Sequence, residues 1–495
     1  MRRSGILMHI SSLPSSYGIG GLGKSAYDFV DFLRDAGQSV WQLLPIHPTG
    51  YGDSPYQALS TFAGNPYFVD LNTLAAEGLL TREELKKSDF GNDRVRVDYG
   101  KLSEGRPELL YTAFERFDTK DEDFVKFVEV EKWWLEDYAL FMAIKTAKGG
   151  RPWTEWEPEL RNRDSEALAE WRQKLKLQCM FHYFVQYKFR VQWQELREYA
   201  KKNGVSIIGD VPIYVPMDSA DVWANPELFQ LDEFLQPTVV AGCPPDAFAA
   251  DGQRWGNPIY DWTKMEQDGF AWWIRRLRAA TQFYDSVRID HFRGIESYWA
   301  IPANEETAIN GEWRKGPGMK LISAIKEALP EAHFIAEDLG FLTDEVIELR
   351  NQSGFPGMKV LQFAFDSRES GNYLPYTYLP NSICYTGTHD NETLVQWQGE
   401  MSAEDLETAR KYMQIGPKDN LCKAMIQLGM NSVSELFVAQ LQDYLQLGAS
   451  ARMNKPSTLS ADNWTWRAKK SEISKALAKE IYTLTKRSGR LVKDK

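Results

Sequence analysis

The sequence is poor in the residues from which metal centres and disulfide frameworks are built. Its 495 residues include 4 cysteines and 6 histidines, and no two cysteines stand at a CxxC or zinc-ligand spacing. Scattered cysteines of this kind indicate reduced thiols in a reducing compartment. We therefore expect no disulfide framework, no metal site and no cofactor. The cysteines are Cys179, Cys243, Cys384 and Cys422.

Long apolar runs and strongly basic runs are also missing. No stretch approaches the ~18 apolar residues of a membrane span. The apolar run at residues 5–10 follows Arg2 and Arg3, but it is too short for a signal peptide and includes His9. The net charge of −11 argues against a nucleic-acid surface, and the basic stretch 486–490 is typical of a solvated tail. We expect a soluble, cytoplasmic protein without nucleic-acid or membrane partners.

Aromatic residues, in contrast, are abundant. The chain has 17 Trp, 22 Tyr and 25 Phe. Sugar rings have apolar faces that stack on aromatic rings, so an acidic, aromatic-rich protein suits a carbohydrate ligand. Large hydrophobic cores also use many aromatics, and composition alone leaves both interpretations open.

Three short apolar runs end on carboxylates. The first runs through Val287 and Ile289 to Asp290, with Arg288 two residues before the acid; the others end at Glu337 and Asp390. This pattern is typical of buried barrel strands that present acids at one open face, and the spacing fits consecutive or near-consecutive βα units.

Such a cluster suits a retaining glycosidase-type reaction. That chemistry needs a carboxylate nucleophile and a protonated carboxyl roughly 5–5.5 Å away. Arg288 could keep Asp290 ionised, whereas Glu337 would need a raised pKa to donate a proton. Each strand end alone is more simply explained as an ion pair or a polar turn. The three together favour catalysis.

The remaining patterns predict a (β/α)8 TIM barrel with helical and loop insertions, as one decorated catalytic unit over residues 1–495 and without a separate C-terminal β domain. The segment 18–25 matches GxxxxGK[ST], but a long Ser/Pro loop separates it from its strand, so we do not predict nucleotide binding. The predicted strands are 5–10, 39–45, 205–214, 285–291, 334–338, 358–366, 383–390 and 434–439. The predicted helical segments are 26–36, 108–117, 121–148, 165–203 and 470–486.

Three motifs resemble the catalytic regions of the α-amylase clan, and the chain from about Ser4 to about Thr393 closely resembles the 4-α-glucanotransferase (amylomaltase) family. The motifs are Arg288-Ile289-Asp290-His291, Ala336-Glu337-Asp338-Leu339-Gly340 and Thr388-His389-Asp390-Asn391.

The resemblance implies roles for several further residues. Ser54 and Tyr56, in the loop after the second strand, would bind and stack the transferred sugar; Asp210 would bond a sugar hydroxyl. His389 and Asp390 would hold hydroxyls and stabilise the transition state. The predicted substrate contacts are Ser54, Tyr56, Asp210, Asp246, Phe248, Trp255, Arg288, Asp366 and His389.

Two insertions are expected beside the cleft. Residues 71–165 form a mainly helical subdomain, in which the aromatics of 133–141 pack helices rather than bind sugar. Residues 212–262 include the segment 241–260, whose prolines and glycines predict a stiff loop rather than a helix or strand. This loop resembles the family's active-site loop, which would place Trp255 near the acceptor sugars. Some relatives have an aromatic where this chain has Ala247.

The predicted function is transfer of an α-1,4-glucan segment to the 4-hydroxyl of glucose or a maltodextrin, with Asp290, Glu337 and Asp390 catalytic. The substrates would be fragments of maltodextrin, starch or glycogen. Two alternatives are an α-amylase-like hydrolase of the same clan and a non-catalytic glucan-binding barrel. The second usually lacks a catalytic acid, whereas this chain has all three.

Overall fold

A computed structural model describes residues 2–50, 52–246, 249–340, 342–368 and 373–492 of the chain. The β-strands are β1 (Arg3–Leu7), β2 (Val40–Gln42), β3 (Ser206–Pro212), β4 (Val239–Cys243), β5 (Gln253–Pro258), β6 (Ser286–Asp290), β7 (Ser297–Pro302), β8 (Glu312–Lys315), β9 (Phe334–Ala336), β10 (Gly357–Val360), β11 (Ser382–Tyr385) and β12 (Leu436–Gln440).

Helices surround and interrupt these strands. They are α1 (Lys24–Asp35), α2 (Leu71–Ala76), α3 (Arg82–Lys87), α4 (Tyr99–Arg116), α5 (Glu122–Ala147), α6 (Pro158–Arg161), α7 (Ser165–Lys174), α8 (Lys176–Lys202), α9 (Ala220–Ala224), α10 (Trp262–Gln267), α11 (Ala271–Phe283), α12 (Met319–Ala328), α13 (Asp344–Ser353), α14 (Leu394–Glu400), α15 (Ala403–Met413), α16 (Leu421–Asn431), α17 (Leu441–Tyr444) and α18 (Lys475–Arg487).

Eight parallel strands close a barrel in the order β1-β2-β3-β6-β9-β10-β11-β12, which confirms the predicted (β/α)8 fold. The closure joins the ends of the chain, because β1 pairs with β12 from Arg3 opposite Leu436 to Leu7 opposite Gln440. Each predicted barrel strand is present, mostly shortened at its ends.

Alternation along the strands decides which side chains enter the barrel. Val287 and Ile289 of β6 pack outward against the helices, whereas Ile208 and Ile335 belong to the interior cluster. Since side chains alternate between the two faces of a strand, Arg288, which lies opposite Ile335, points into the barrel. A cation thus occupies a barrel interior that is otherwise lined mainly by apolar residues.

Helices fill the stretch between β2 and β3. α5 and α8 pack side by side, and Trp134, Tyr138 and Phe141 of α5 are buried, as predicted for a packing stripe. Trp133 is 44% exposed and meets Phe62 edge-on. The predicted boundaries of the two insertions, 71–165 and 212–262, stay predictions.

The prediction that residues 241–260 form a loop without strands is wrong. The β-branched pair Val239 and Val240 starts β4, which pairs antiparallel with β5 and with β7. The sheet runs β5-β4-β7-β8 and includes strands that follow the Asp290 region. Long-range pairing with β7, invisible to local proline and glycine signals, converts the segment into a sheet.

The expected solvated tail is also different in the structure. Arg490 is fully buried and bonds backbone carbonyls of Arg3, Met430 and Ser432. Charge alone predicted exposure, but a guanidinium can be buried where carbonyl oxygens converge on it. After β12 the described chain adds α17 and α18 rather than a β domain.

Three further observations concern membrane spans, disulfides and the phosphate-loop match, none of which the sequence favours as functional. None of the described helices is both long and apolar enough to cross a membrane. All four cysteines are free thiols. In the segment 18–25, the Asp70 carboxylate packs directly against Gly23, so that a β-carbon there would collide with it.

Candidate active site

The predicted catalytic acids lie at the ends of barrel strands. Asp290 is the last residue of β6, Glu337 follows β9, and Asp390 lies in the loop after β11. The strands are parallel, so these ends share one rim. Asp290 interacts electrostatically with both Glu337 and Asp390. The structure therefore brings the three acids together.

Asp290 and Glu337 stand at the same level of adjacent strands. Ile289 lies opposite Ala336, and the Glu337 N–H donates to the Ile289 carbonyl at 3.1 Å, which continues the register by one residue. Neighbouring strands are about 4.8 Å apart. The two acids are therefore neighbours at the rim, an arrangement that suits the close pair of carboxyls in a retaining double displacement.

Arg288 bridges two carboxylates below the rim. Its Nη1 is 2.6 Å from Asp210 Oδ2, and its Nη2 is 2.8 Å from Asp290 Oδ1. Arg288 and Asp210 are buried, whereas the Asp290 side chain is 26% exposed toward the cleft. One carboxylate thus anchors the guanidinium and the other is presented to a substrate.

Burial raises the pKa of Asp290, and the Arg288 guanidinium opposes this rise. Burial also raises the pKa of Glu337, against Arg288 and two backbone N–H donors. Within the described residues, Arg288 is the cation in direct contact with Asp290, and Glu337 has no ion-pair partner. The geometry favours a proton on Glu337 and a charge on Asp290.

The carboxyl group of Glu337 is held by backbone donors on both oxygens. The His291 N–H donates to Oε2 at 2.6 Å and the Leu339 N–H to Oε1 at 3.0 Å. Neighbouring Asp338 is structural instead, because it pairs with Arg350 at 2.6 Å and accepts the Met358 N–H.

Tyr56 lies against two other residues that the resemblance assigns to the site. Its hydroxyl donates to Asp210 Oδ2 at 2.6 Å, and its ring stacks on His389 with centroids 5.0 Å apart. Burial lowers the pKa of His389, so its ring is neutral at pH 7. The Ser54 hydroxyl accepts the Tyr56 N–H at 3.2 Å and so shapes this loop.

Asp390 is held by a segment that the sequence analysis missed. Asn454 Nδ2 donates to Asp390 Oδ1 at 2.6 Å, and Arg452 Nη2 donates to the Asp390 carbonyl at 2.7 Å. Trp464 tilts against the rings of both Tyr56 and His389. These residues follow the last barrel strand and carry no motif; the signal available was Trp464 in a polar loop.

The predicted acceptor-side contacts lie on β5 and in the loop before it. Trp255 lies on β5 and meets His291 edge-on at 4.7 Å. Asp246 is exposed and accepts the Ala249 N–H at 2.7 Å. Phe248 and Ala247 lie outside the described residues.

Asp366 is not at the end of a strand, because the predicted strand 358–366 is correct only as far as Val360. β10 stops at Val360, and a 3₁₀ helix at Gln362–Phe365 follows. Phe365 packs against Tyr412 of α15 rather than in the barrel, which explains the misread apolar run. The Asp366 carboxylate pairs with Arg368 at 2.6 Å.

Three comparisons identify the family. A model of the 4-alpha-glucanotransferase family matches residues 8–473. The 4-alpha-glucanotransferase of Clostridium butyricum is 47% identical over 486 residues, which cover 98% of this chain and 100% of that protein. The 4-alpha-glucanotransferase of Thermus thermophilus is 47% identical over 502 residues, which cover 99% of this chain and 99% of that protein.

The fold comparison agrees. The amylomaltase of Streptococcus agalactiae, solved in complex with acarbose, matches with a TM-score of 0.96 at 40% identity, covering 99% of this chain and 100% of that one. These relatives are named for glucan transfer, which disfavours the hydrolase and binding-protein alternatives. The chain belongs to the 4-alpha-glucanotransferase family and is a glycosyltransferase-type enzyme.

Proposed function

We propose that this chain transfers a segment of an α-1,4-glucan to the 4-hydroxyl of glucose or of a maltodextrin by a retaining double displacement. The observation that carries the proposal is the pairing of Asp290 with Arg288 at the level of Glu337 on the neighbouring strand. Starch, glycogen or maltodextrin fragments are the donors, and the cytoplasm is the proposed location.

In the first step Asp290 attacks the anomeric carbon. The bond from that carbon to the glycosidic oxygen breaks as the bond to the Asp290 carboxylate forms, and Glu337 gives its proton to the departing oxygen. Arg288 keeps Asp290 ionised until attack. The product is a glycosyl ester on Asp290 and a shortened glucan with a free 4-hydroxyl.

In the second step Glu337, now ionised, removes the proton from the 4-hydroxyl of an acceptor. The acceptor oxygen attacks the anomeric carbon and displaces the Asp290 carboxylate. Two inversions give net retention, and both acids return to their starting protonation states. No redox step and no metal ion is required by this sequence.

Asp390 and His389 stabilise the oxocarbenium-like transition state through sugar hydroxyls. The aromatic stack of Tyr56 and His389, backed by Trp464, offers a rigid wall for the sugar beside Asp290. The remaining proposed sugar contacts are Ser54, Asp210, Asp246, Phe248, Trp255 and Asp366.

The deciding experiment incubates the protein with maltotriose and separates the products while total reducing ends are counted. We expect glucose and a ladder of longer maltodextrins with constant reducing ends. Transfer exceeds hydrolysis only where the acceptor subsites bind sugar and exclude water. Rising reducing ends without longer products would make the protein a hydrolase; no change at all would support a binding protein.

Substituting the proposed nucleophile or acid tests the residue roles. We expect Asp290→Asn and Glu337→Gln each to lower kcat by on the order of 10⁴-fold or more, with maltodextrin binding still measurable by calorimetry. Glu407→Gln, which changes an exposed surface carboxylate on α15, is the matched control. Near-normal turnover in either site variant would rule out this mechanism.

A further inference from the structure

His291 touches both the proposed acid/base and the loop beside it. Its backbone N–H donates to Glu337 Oε2 at 2.6 Å. Its ring meets the Trp255 indole at a centroid distance of 4.7 Å and an angle of 90°. One residue therefore connects β5 to the reacting carboxyl group.

The backbone of His291 is in the left-handed region, with φ 52° and ψ 47°. For a residue other than glycine this conformation is strained. It forms the turn between β6 and the 3₁₀ helix Phe292–Ile295, where the Gly294 N–H donates to the His291 carbonyl at 2.9 Å. This turn aims the His291 N–H at the neighbouring strand end, which carries Glu337.

We propose that His291 is a positioning residue that couples the location of Trp255 to the orientation of the Glu337 carboxyl group. The inference rests on the proposed function, in which Glu337 deprotonates the acceptor. Packing of the imidazole against the indole restrains the left-handed turn, and the turn keeps the N–H on Oε2.

This coupling discriminates between acceptors. A glucan that contacts Trp255 acts, through His291, on the group that must deprotonate its 4-hydroxyl. A water molecule makes no such contact with the indole. His291 therefore favours transfer over hydrolysis by holding Glu337, and it takes no part in the proton transfer itself.

The ring of His291 does not itself titrate in the working range. Burial and nearby Arg293 lower the pKa of the imidazole to about 3. The charged or titratable groups that face Glu337 are Arg288 and Asp290 on β6, the adjacent Asp338, and Cys243 on β4. A pH profile therefore reports on the carboxyls and not on the imidazole.

Two variants separate the role of the His291 backbone N–H from the role of its imidazole ring. His291→Gly keeps the N–H and adopts the left-handed turn at no cost, but it lacks the ring. His291→Val also lacks the ring, and its β-branched side chain disfavours the turn. The glycine variant isolates the contact with Trp255, and the difference between valine and glycine isolates the N–H bond.

For His291→Gly we expect kcat within about threefold of the parent and an unchanged alkaline limb in the pH profile of activity. We expect hydrolysis, as a share of all turnovers, to rise about threefold or more. For His291→Val we expect kcat to fall about tenfold or more. Its alkaline limb moves to higher pH, because the lost N–H bond favoured the ionised form of Glu337.

A double-variant cycle with Trp255→Ala tests the coupling directly. If His291 acts through Trp255, His291→Gly has little further effect on hydrolysis once Trp255 is gone. Effects that multiply independently would overturn the coupling. Equal kcat and equal alkaline limbs in the glycine and valine variants would overturn the backbone role.

The parent enzyme is assayed with maltotriose first. A parent that does not transfer removes the proposed function as a whole. A transferring parent, together with a His291→Gly variant that transfers with the same share of hydrolysis, removes only the inference about His291. Circular dichroism of each variant confirms that the comparison is made between folded proteins.

Discussion

The two ends of the barrel bury an arginine each, and the partners of these arginines differ. At the rim, Arg288 lies between the carboxylates of Asp210 and Asp290. At the opposite end, Arg490 donates to backbone carbonyls of β1, of the last turn of α16 and of Ser432, which follows that helix.

The pKa values reflect the two surroundings. Burial lowers the pKa of Arg288, but the carboxylates of Asp210 and Asp290 more than reverse this, so it lies well above its usual value. Burial lowers the pKa of Arg490 to about 10, since carbonyl dipoles do not replace a counter-charge. The rim arginine sets the charge of a reactive group, and the other one holds the seam where the barrel closes.

Among the variants of the two arginines, Arg288→Met has the largest expected effect. Without the guanidinium, Asp210 and Asp290 face each other without a cation, the pKa of Asp290 rises further, and we expect Asp290 to be protonated at neutral pH. We expect kcat/KM to fall by on the order of 10³-fold, measured by maltotriose disproportionation. Activity near that of the parent would show that Asp290 does not need its cation.

Arg490→Met should lower the stability of the protein and leave its activity nearly unchanged. It leaves several buried carbonyls unsatisfied, so we expect the free energy of unfolding in urea to fall by about 2–4 kcal/mol. We expect kcat/KM of the folded variant to stay within about twofold of the parent, since the rim is untouched. Arg487→Met, which changes an exposed residue at the end of α18, is the control and should change neither quantity. A large loss of activity without a loss of stability would break the comparison.

The smallest effect is a shift of the pH profile. Asp290 must be ionised and Glu337 protonated, so kcat/KM falls as pH drops through the pKa of Asp290 and as pH rises through that of Glu337. Arg288 lowers both pKa values, so a weaker contact in Arg288→Lys moves both limbs to higher pH, by about one unit. Arg490→Met should leave both limbs in place; a shift there would show that the two ends are coupled.

Local sequence patterns were sufficient to predict the barrel strands and the acids at their ends. Each barrel strand has β-branched or apolar residues on a short segment, and the acids Asp290 and Glu337 stand directly at or after the ends of such segments. Parallel strands bring their ends to one rim whatever the loops do, so acids at strand ends converge without any further information. The prediction that this strand extends to Asp366 was wrong because the apolar residue before it, Phe365, packs against α15.

Only the tertiary structure determined what these groups face. The hydrogen bond from the His291 N–H to Glu337 depends on a backbone turn. The hydrogen bond from Asn454 to Asp390 and the burial of Arg490 depend on segments that are far apart in the chain. The pairing of β4 with β7 belongs with them. Sequence periodicity reports which face of a local element is apolar, whereas a hydrogen bond between distant segments depends on where the whole chain places its donors and acceptors.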